Sequence, residues 1–411
     1  MNAQMPARGA ELIAGGRAIA AGPQWLARLF AGGAHRILDR IDAGLERGSV
    51  ETRLPDGSTR LLGGREPGFA AAVELRSYRP LLRLATAGSV GWYQGWDAGE
   101  WTSPDPVALF ALFMDNSASL GDAARARGPW RLVMRAVHRL RRNSKAGAAR
   151  NIHAHYDLGN DFYGAWLGDK MIYSSGVFAD AETAPGFFEG HYFERLDRAQ
   201  AAKVERIAER LALKGGDEVL EIGCGWGTVA AFLAERFASR VTAISLSREQ
   251  LDFARRNFAG LERGRAEFRY QDYRDVAGAY DAIVSIEMVE ALGREYWPEF
   301  MDCIARNLRA NADFIQAYVF PGGMLIRTSE FRRLAEQRGL AWQDESWFGL
   351  DYAETLRLWR QAFEDAVEAG RLPAGFDERF VRLWRYYLMY CEGGFRGGGI
   401  DVAQVTLVKP T

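Results

Sequence analysis

Between residues 198 and 285 the sequence alternates amphipathic segments with short apolar runs, which restricts the chain to very few folds. The apolar runs have the length of buried strands, and the segments between them have helical spacing. The predicted strands are Glu218–Ile222, Arg240–Ile244, Ala266–Tyr270 and Tyr280–Ser285. The predicted helices are Arg198–Leu213, Thr228–Phe237 and Glu249–Phe258. This order predicts a parallel, doubly wound α/β sheet that binds its ligand beyond the carboxyl ends of the strands.

A glycine-rich turn follows the first of these strands. Gly223 and Gly225 stand where the strand meets the next helix, and their missing side chains let a ligand approach backbone N–H groups there. Ser245 and Gln250 follow the second strand and can bind ribose hydroxyls through neutral hydrogen bonds. A nucleotide-like ligand is therefore predicted. The spacing of the glycines departs from G-x-G-x-x-G, which disfavours a nicotinamide-dependent oxidoreductase.

Composition excludes several classes of protein. A chain of 411 residues predicts two domains, and 48% hydrophobic with 26% charged residues excludes disorder as the main state. The net charge of −1 provides no global field that attracts nucleic acid. Three widely spaced cysteines indicate neither a disulfide framework nor a metal site and suit a reducing cytoplasm. No apolar run has the length of a membrane span, and the N-terminus lacks the apolar core of a secretion signal.

One basic segment interrupts this balanced charge. From Arg125 to Arg150 there are nine Lys or Arg residues and no acidic ones. Apolar residues at helical spacing lie on one predicted face, and Arg131, Arg135 and Arg139 lie on another. This pattern is typical of a helix on an anionic membrane surface, and equally of a solvated helix packed on its own domain. The segment also predicts a connector, which divides the chain into domains 1–145 and 146–411.

The region before the connector predicts a smaller α+β domain. Val50–Leu54 and Thr59–Leu62 alternate apolar and polar residues around the turn at Pro55–Ser58, as in a β-hairpin. A further strand is predicted at Ala71–Leu75. Helices are predicted at Tyr78–Ala85 and Pro106–Asn116.

Four motifs in the same order resemble the cyclopropane-fatty-acyl-phospholipid synthases. They are Glu221–Gly227, His155–Asp161, Tyr173–Gly176 and Gln271–Asp275. The resemblance implies a Rossmann-like class I methyltransferase with helical additions that uses S-adenosylmethionine. It implies transfer of a methyl group to the cis double bond of an unsaturated acyl chain in a membrane phospholipid, giving a cyclopropane. A methyl branch or a methylated olefin stays open as the product, and so does a homodimer. The implied location is the cytoplasm, peripherally on the inner face of the membrane.

The resemblance also assigns roles to individual residues. Those matched to cofactor binding are Tyr173, Ser174, Glu221, Gly223, Gly225, Ser245, Gln250, Gln271, Asp272 and Tyr273. Glu290 and Tyr352 match the site that holds a bicarbonate ion acting as the base, and Ser175 stands where the family often has cysteine. His155 is matched to the acyl or cofactor pocket. From the residues alone, Glu290 follows a buried strand, where an unpaired carboxylate is costly, so a functional partner is predicted.

The sequence departs from the family pattern between Leu308 and Phe320. This stretch lacks the glycine turn, the fifth strand and the histidine that the family places at the bicarbonate site. His191 is the last histidine in the chain. Two outcomes follow: either Phe314–Val319 serves as a substitute strand, or the domain is impaired and the chain is a non-catalytic lipid- or cofactor-binding protein.

Overall fold

A computed structural model of the protein describes residues 8, 31–121, 158–178, 192–261, 265–318 and 326–411. Two of the predicted features fall elsewhere. His155 and the basic segment with Arg131, Arg135 and Arg139 lie outside the described residues. Within the described residues, no helix is both long enough and apolar enough to cross a membrane.

The chain divides into two compact units whose limits do not follow a single cut in the sequence. The first unit runs to Arg141 and also takes in Ala374–Ile400, and the second comprises Arg142–Pro373 and Asp401–Thr411. A C-terminal helix thus packs in the N-terminal unit. The predicted limit at residues 145 and 146 falls outside the described residues and stays a prediction.

The first unit is built on a four-stranded mixed sheet in the order β2-β1-β3-β4. Its strands are β1 (Arg47–Arg53), β2 (Thr59–Gly63), β3 (Glu66–Leu75) and β4 (Trp101–Thr102). The predicted hairpin is present, because β1 and β2 pair antiparallel from Ser49 opposite Gly63 to Arg53 opposite Thr59. β1 and β3 are parallel.

Helices cover this sheet and enclose one core. They are α1 (Ala31–Gly44), α2 (Arg79–Ala87), α3 (Ser89–Asp97), α4 (Pro106–Asp115), α5 (Ser117–Leu120) and the C-terminal helix Glu378–Arg396. Asp105 caps α4 by accepting from the Ala108 N–H at 3.0 Å, with Pro106 at the first helical position. Apolar side chains of α4 and of the C-terminal helix share the core of this unit with the strands.

The second unit contains a seven-stranded sheet in the order β10-β11-β9-β8-β5-β6-β7. The strands are β5 (Glu218–Ile222), β6 (Arg240–Ser245), β7 (Ala266–Tyr270), β8 (Tyr280–Ile286), β9 (Leu308–Tyr318), β10 (Ala341–Trp347) and β11 (Ala403–Val408). Strands β7, β6, β5, β8 and β9 are parallel, and β11 runs antiparallel to both of its neighbours. The predicted doubly wound α/β fold is confirmed, and the four predicted strands agree with the structure to within one residue.

Helices pack on this sheet as the alternation of the sequence predicts. They are α6 (Asn160–Leu167), α7 (Tyr192–Arg210), α8 (Thr228–Arg236), α9 (Arg248–Asn257), α10 (Trp297–Asn307), α11 (Thr328–Glu336) and α12 (Gly349–Glu368); the C-terminal helix of the first unit is α13. Ser247 caps α9 by accepting from the Gln250 N–H at 3.3 Å. The cap fixes the chain where it turns away from β6.

The central strand that the sequence fails to mark is present as β9. It lies between β8 and β11 and is longer than the predicted substitute strand Phe314–Val319. Helix α10 ends at Asn307 and β9 begins at Leu308, so no loop connects them. The pairing with β8 shifts register, from Tyr280 opposite Leu308 to Ala282 opposite Asp313. A register shift therefore accommodates the missing glycine turn, and the sheet keeps its full set of strands.

Candidate functional site

The carboxyl ends of β5 and β6 meet at the glycine turn. The N–H groups of Gly223 and Cys224 both donate to the carbonyl of Ile244 at 3.0 Å, which binds the turn to the neighbouring strand. Gly223 has φ +86° and is exposed, and Gly225 has φ +53°. A Cβ added to Gly223 would lie 3.1 Å from the Met288 side chain, whereas one on Gly225 would meet open space. This surface is an open backbone cradle of the kind that a nucleotide-like ligand requires.

Two residues predicted for ribose binding lie together beside this cradle. Ser245 ends β6, and its hydroxyl donates to Oε1 of Gln250 at 3.3 Å. The same hydroxyl oxygen accepts the Ser247 N–H at 3.1 Å. The structure thus places Ser245 and the buried Gln250 side by side at the edge of the sheet where parallel strands end.

Three further residues matched to cofactor binding, Gln271, Asp272 and Tyr273, differ in their surroundings. The Gln271 N–H donates to the Ser245 carbonyl at 3.3 Å, which joins the ends of β6 and β7. The Asp272 carboxylate accepts two bonds from the Arg274 guanidinium, at 2.8 and 2.6 Å. Tyr273 is buried and packs edge-on against Phe300 with ring centroids 5.5 Å apart. Their contact with a cofactor stays a prediction.

A partly buried carboxylate, Glu287, lies directly after β8 and joins three segments of the chain. Its Oε2 accepts from the Tyr352 hydroxyl at 2.6 Å, and its Oε1 accepts from the Ser175 N–H at 2.8 Å. Burial raises the pKa of this carboxyl group to about 7 against the lowering effect of these two bonds and of Lys203. Tyr352, which is matched to the anion site, and Ser175, at the position where the family often has cysteine, are thus brought together on a carboxylate of the chain itself.

The segment that carries Ser174 and Ser175 is held by two polar side chains of α7. Lys203 donates to the Ser174 hydroxyl at 2.5 Å and to Oε1 of Gln200 at 2.6 Å. Gln200 in turn donates to the Ser174 carbonyl at 2.7 Å. Lys203 is 1% exposed, and burial lowers its pKa to about 8 although Glu287 and Glu221 oppose this shift. The buried ammonium group fixes the backbone from which Ser175 donates.

Glu221, the predicted cofactor residue of β5, is a second buried carboxylate near Lys203. Burial raises its pKa to about 8, opposed by the N–H of Ala230 and by Lys203. Within the described residues its Oε2 accepts no hydrogen bond. Glu221 precedes Gly223 of the glycine cradle by two positions in the chain. Its Oε2 atom can accept a hydrogen bond from a cationic or N–H group of a ligand.

Aromatic rings pack on the Tyr352 ring, whose hydroxyl donates to Glu287. Trp359 lies 6.1 Å from the Tyr352 ring and 5.2 Å from the Tyr173 ring, measured between centroids. Trp166 and Tyr163 extend the group at 5.7 and 5.6 Å from Tyr173. We refer to Tyr163, Trp166, Tyr173 and Trp359 as the aromatic cluster. It provides an apolar environment beside a titratable carboxylate.

The structure also shows which site residues the sequence leaves unassigned. Glu290 is 2% exposed in a short 3₁₀ turn, Val289–Ala291, and its assigned role stays a prediction. The carboxylate that joins Ser175 and Tyr352 belongs to Glu287, three residues earlier. Lys203 also has no predicted role, although a lysine among the apolar positions of an amphipathic helix is a signal that sequence reasoning can use.

A family model described as mycolic acid cyclopropane synthetase matches residues 143–313 and 305–405. The chain belongs to this family. Its members are S-adenosylmethionine-dependent methyltransferases that modify lipids. The two parts of the match meet at residues 305–313, where α10 passes directly into β9.

Curated relatives agree with this assignment. The chain is 34% identical over 363 residues to tuberculostearic acid methyltransferase of Mycobacterium tuberculosis, covering 80% of each chain. It is 33% identical over 274 residues to cyclopropane-fatty-acyl-phospholipid synthase of Escherichia coli, covering 62% of this chain and 66% of the relative. The resemblance inferred from the four motifs is therefore confirmed.

Solved structures agree as well. Mycolic acid cyclopropane synthase CmaA1, in a complex with SAH and CTAB, matches with a TM-score of 0.57 at 25% identity, covering 64% of this chain and 98% of that one. Cyclopropane synthase MmaA2 from Mycobacterium tuberculosis has the same fold, with a TM-score of 0.57 at 23% identity over 64% of this chain and 98% of its own.

Proposed function

We propose that the protein transfers the methyl group of S-adenosylmethionine to the cis double bond of an unsaturated phospholipid acyl chain, forming a cyclopropane. The observation that carries this proposal is the aromatic cluster, in which Trp359 packs against Tyr352, the residue that donates to Glu287. An alkene is a weak nucleophile, and methylation leaves a carbocation on the acyl chain. Aromatic faces stabilise a cation, and an apolar wall keeps out the water that would trap it.

The cofactor end of the proposed site is the cradle at Gly223 and Gly225. The residues there suit S-adenosylmethionine because the turn is open, Ser245 and Gln250 offer neutral polar groups, and the Glu221 Oε2 lacks a partner among the described residues. S-adenosylmethionine supplies the methyl group. The chain's part is to hold it at the carboxyl ends of β5 and β6, within the same unit as the aromatic cluster.

A methylated olefin or a methyl branch is the second candidate product. The similarity to tuberculostearic acid methyltransferase, which spans 80% of both chains, supports a methylated fatty acid of that kind. Ring and olefin differ only in the carbon from which one proton leaves after the methyl group is transferred. Both candidates therefore use the same cofactor cradle and the same aromatic cluster.

The substrate proposal includes a membrane surface. The sequence places Arg131, Arg135 and Arg139 on one predicted face of a basic segment, which supports peripheral binding to the cytoplasmic side of an anionic membrane. We assign the region 1–145 an accessory role in lipid association. Replacing the three arginines by glutamine should weaken binding to anionic vesicles in low salt. If the variant and the wild-type protein bind vesicles equally, the segment is better explained as a solvated helix that packs on its own domain.

The experiment that tests this proposal follows the transfer of a labelled methyl group to the lipid. The purified protein is incubated with unsaturated phospholipid vesicles and methyl-labelled S-adenosylmethionine, and the acyl chains are analysed by mass spectrometry. A gain of one labelled methylene unit is the expected result, and NMR then distinguishes a ring from an olefin. Cofactor binding without transfer of label would contradict the proposal and favour a catalytically impaired lipid- or cofactor-binding protein.

A further inference from the structure

We propose that the Glu287 carboxylate is the built-in base of the reaction and takes the place of the bicarbonate ion that the family resemblance implies. This inference rests on the proposed methyl transfer and specifies how its last proton is removed. Three features of the site support it: the hydrogen bonds to Glu287, the charges around it and its backbone conformation.

The hydrogen-bond donors that a separate anion would need are already used by Glu287. Tyr352 is matched to the bicarbonate site, and Ser175 stands where the family often has cysteine. The Tyr352 hydroxyl and the Ser175 backbone N–H both donate to Glu287, at 2.6 and 2.8 Å. An ion at these donors would displace the carboxylate or lie against its negative charge in a partly buried site. The histidine of the family's anion site is also absent, because the last histidine of the chain is His191. The donor set therefore suits the internal carboxylate and not an added one.

The charges around Glu287 allow the carboxylate to ionise although it is partly buried. The Lys203 ammonium group lies close enough for the opposite charges to favour ionisation, and the Tyr352 and Ser175 bonds act in the same direction. Burial opposes these effects and keeps the pKa near neutrality. A base whose pKa lies close to the working pH removes protons most effectively.

The backbone at Glu287 is strained in a way that places its side chain. Glu287 has φ +48°, a left-handed conformation that side chains rarely adopt. Such a conformation persists only where the surroundings hold it, and the bonds to Ser175 and Tyr352 do so. A glycine would adopt the same backbone without strain and would leave the carboxylate position open. This makes Glu287→Gly an informative variant.

The alkene π electrons form a bond from one alkene carbon to the methyl carbon while the bond from that methyl carbon to the sulfonium sulfur breaks, leaving its electron pair on sulfur. The other alkene carbon becomes a cation. A C–H electron pair of the transferred methyl group closes the ring, and the proton goes to a Glu287 oxygen. Loss of the proton from a neighbouring chain carbon gives the methylated olefin instead. Water takes the proton from Glu287 after product release.

The first test compares the wild-type protein with and without bicarbonate. The rate of methyl transfer is measured in argon-equilibrated buffer and again with millimolar bicarbonate, and binding of ¹³C-bicarbonate is followed by NMR. We expect an unchanged rate and no binding. A rate that depends on bicarbonate would overturn the proposal. Binding of bicarbonate to the wild-type protein that is lost in Glu287→Ala would overturn it as well. If the wild-type protein transfers no methyl group in either buffer, the proposed function fails, and the NMR measurement still tests the anion site by itself.

The second test uses a matched pair of variants. Glu287→Gln fills the same space but cannot accept the proton, so we expect a fall in kcat of about 100-fold that bicarbonate does not reverse. Glu287→Gly opens the position, so we expect a similar fall that bicarbonate or formate reverses about tenfold or more. Circular dichroism and S-adenosylmethionine affinity verify that both variants fold. A fully active Glu287→Gln, or equal responses of the two variants to added anion, would contradict the assignment.

Discussion

The Tyr352 hydroxyl donates to the Glu287 carboxylate at 2.6 Å and joins the first turn of α12 to the end of β8. Because Ser175 donates to the other oxygen, the carboxylate connects the cofactor-side segment 173–176 to a helix of the proposed acyl site. Tyr352 and Glu287 can each be substituted separately. The resulting variants separate a role in proton removal from a role in packing.

Tyr352→Phe removes the hydrogen bond and keeps the ring. We expect kcat to fall about tenfold, because a hydrogen bond to a charged group is lost, with little change in S-adenosylmethionine affinity. The bond from Tyr352 lowers the pKa of Glu287, so its loss should move the rising limb of the pH–rate profile to higher pH. Steady-state kinetics between pH 5 and 9 measure both effects. A loss of kcat with an unmoved limb would indicate that Tyr352 acts only through packing.

Glu287 should also make stability depend on pH. Its pKa is raised from 4.5 to about 7 in the folded protein, so the folded state binds more protons than the unfolded state within this range. Its contribution to stability is therefore fully present below about pH 4.5 and is lost as the pH rises through about 7. Glu287→Gln does not titrate, so its Tm relative to wild type should increase from pH 5 to pH 7.

The control for this experiment is Glu249→Gln, because Glu249 is exposed at the start of α9. Its Tm difference from wild type should stay nearly constant over the same range. Between pH 5 and 7 Lys203 stays mostly charged, because its pKa is about 8. A Tm difference for Glu287→Gln that is constant or decreases with pH would show that folding does not raise the pKa of the carboxyl group.

Gly223→Val should close the cofactor cradle. The new side chain would project toward Met288, which a Cβ already approaches to 3.1 Å, at a φ of +86° that valine disfavours. We expect S-adenosylmethionine affinity to fall about 100-fold or more in calorimetry. Gly216→Val is the matched control, because Gly216 has φ +81° with open space around it and precedes the amino end of β5. Equal losses in both variants would indicate general strain instead of a blocked site.

The sequence predicts the second unit well where local patterns determine structure. Strand β5, the glycine turn and α8 follow from alternation and from residues within one turn of each other. The role of Glu287 does not follow, because its partners Ser175 and Tyr352 lie 112 and 65 positions away. Its left-handed backbone is equally invisible in a pattern, since glutamate gives no sign of a positive φ.

The joint between α10 and β9 shows the same limit. The sequence after Leu308 lacks the glycine that usually ends a helix before a strand, so local patterns do not predict a strand directly after the helix. In the structure the Lys409 ammonium group donates to the carbonyls of Ala305 and Leu308, at 2.6 and 2.8 Å. A residue 104 and 101 positions away thus donates the hydrogen bonds that the carbonyl groups at the end of the helix require. No local pattern in the sequence can indicate this contact.

Lys409→Met tests whether this contact stabilises the joint. The substitution leaves two helix-end carbonyls without their charged donor, and a hydrogen bond to a charged group contributes about 1.5 to 3 kcal/mol. For a domain of this size each kcal/mol lowers Tm by about 2 to 4 °C, so we expect a decrease of several degrees in differential scanning calorimetry.

Lys214→Met is the control, because Lys214 is exposed in the loop before β5 and should change Tm little. S-adenosylmethionine affinity should persist in both variants, because Gly223 and Ser245 lie at the opposite, carboxyl ends of their strands. Equal Tm values for Lys409→Met and Lys214→Met would show that the register shift of β9 alone holds the joint.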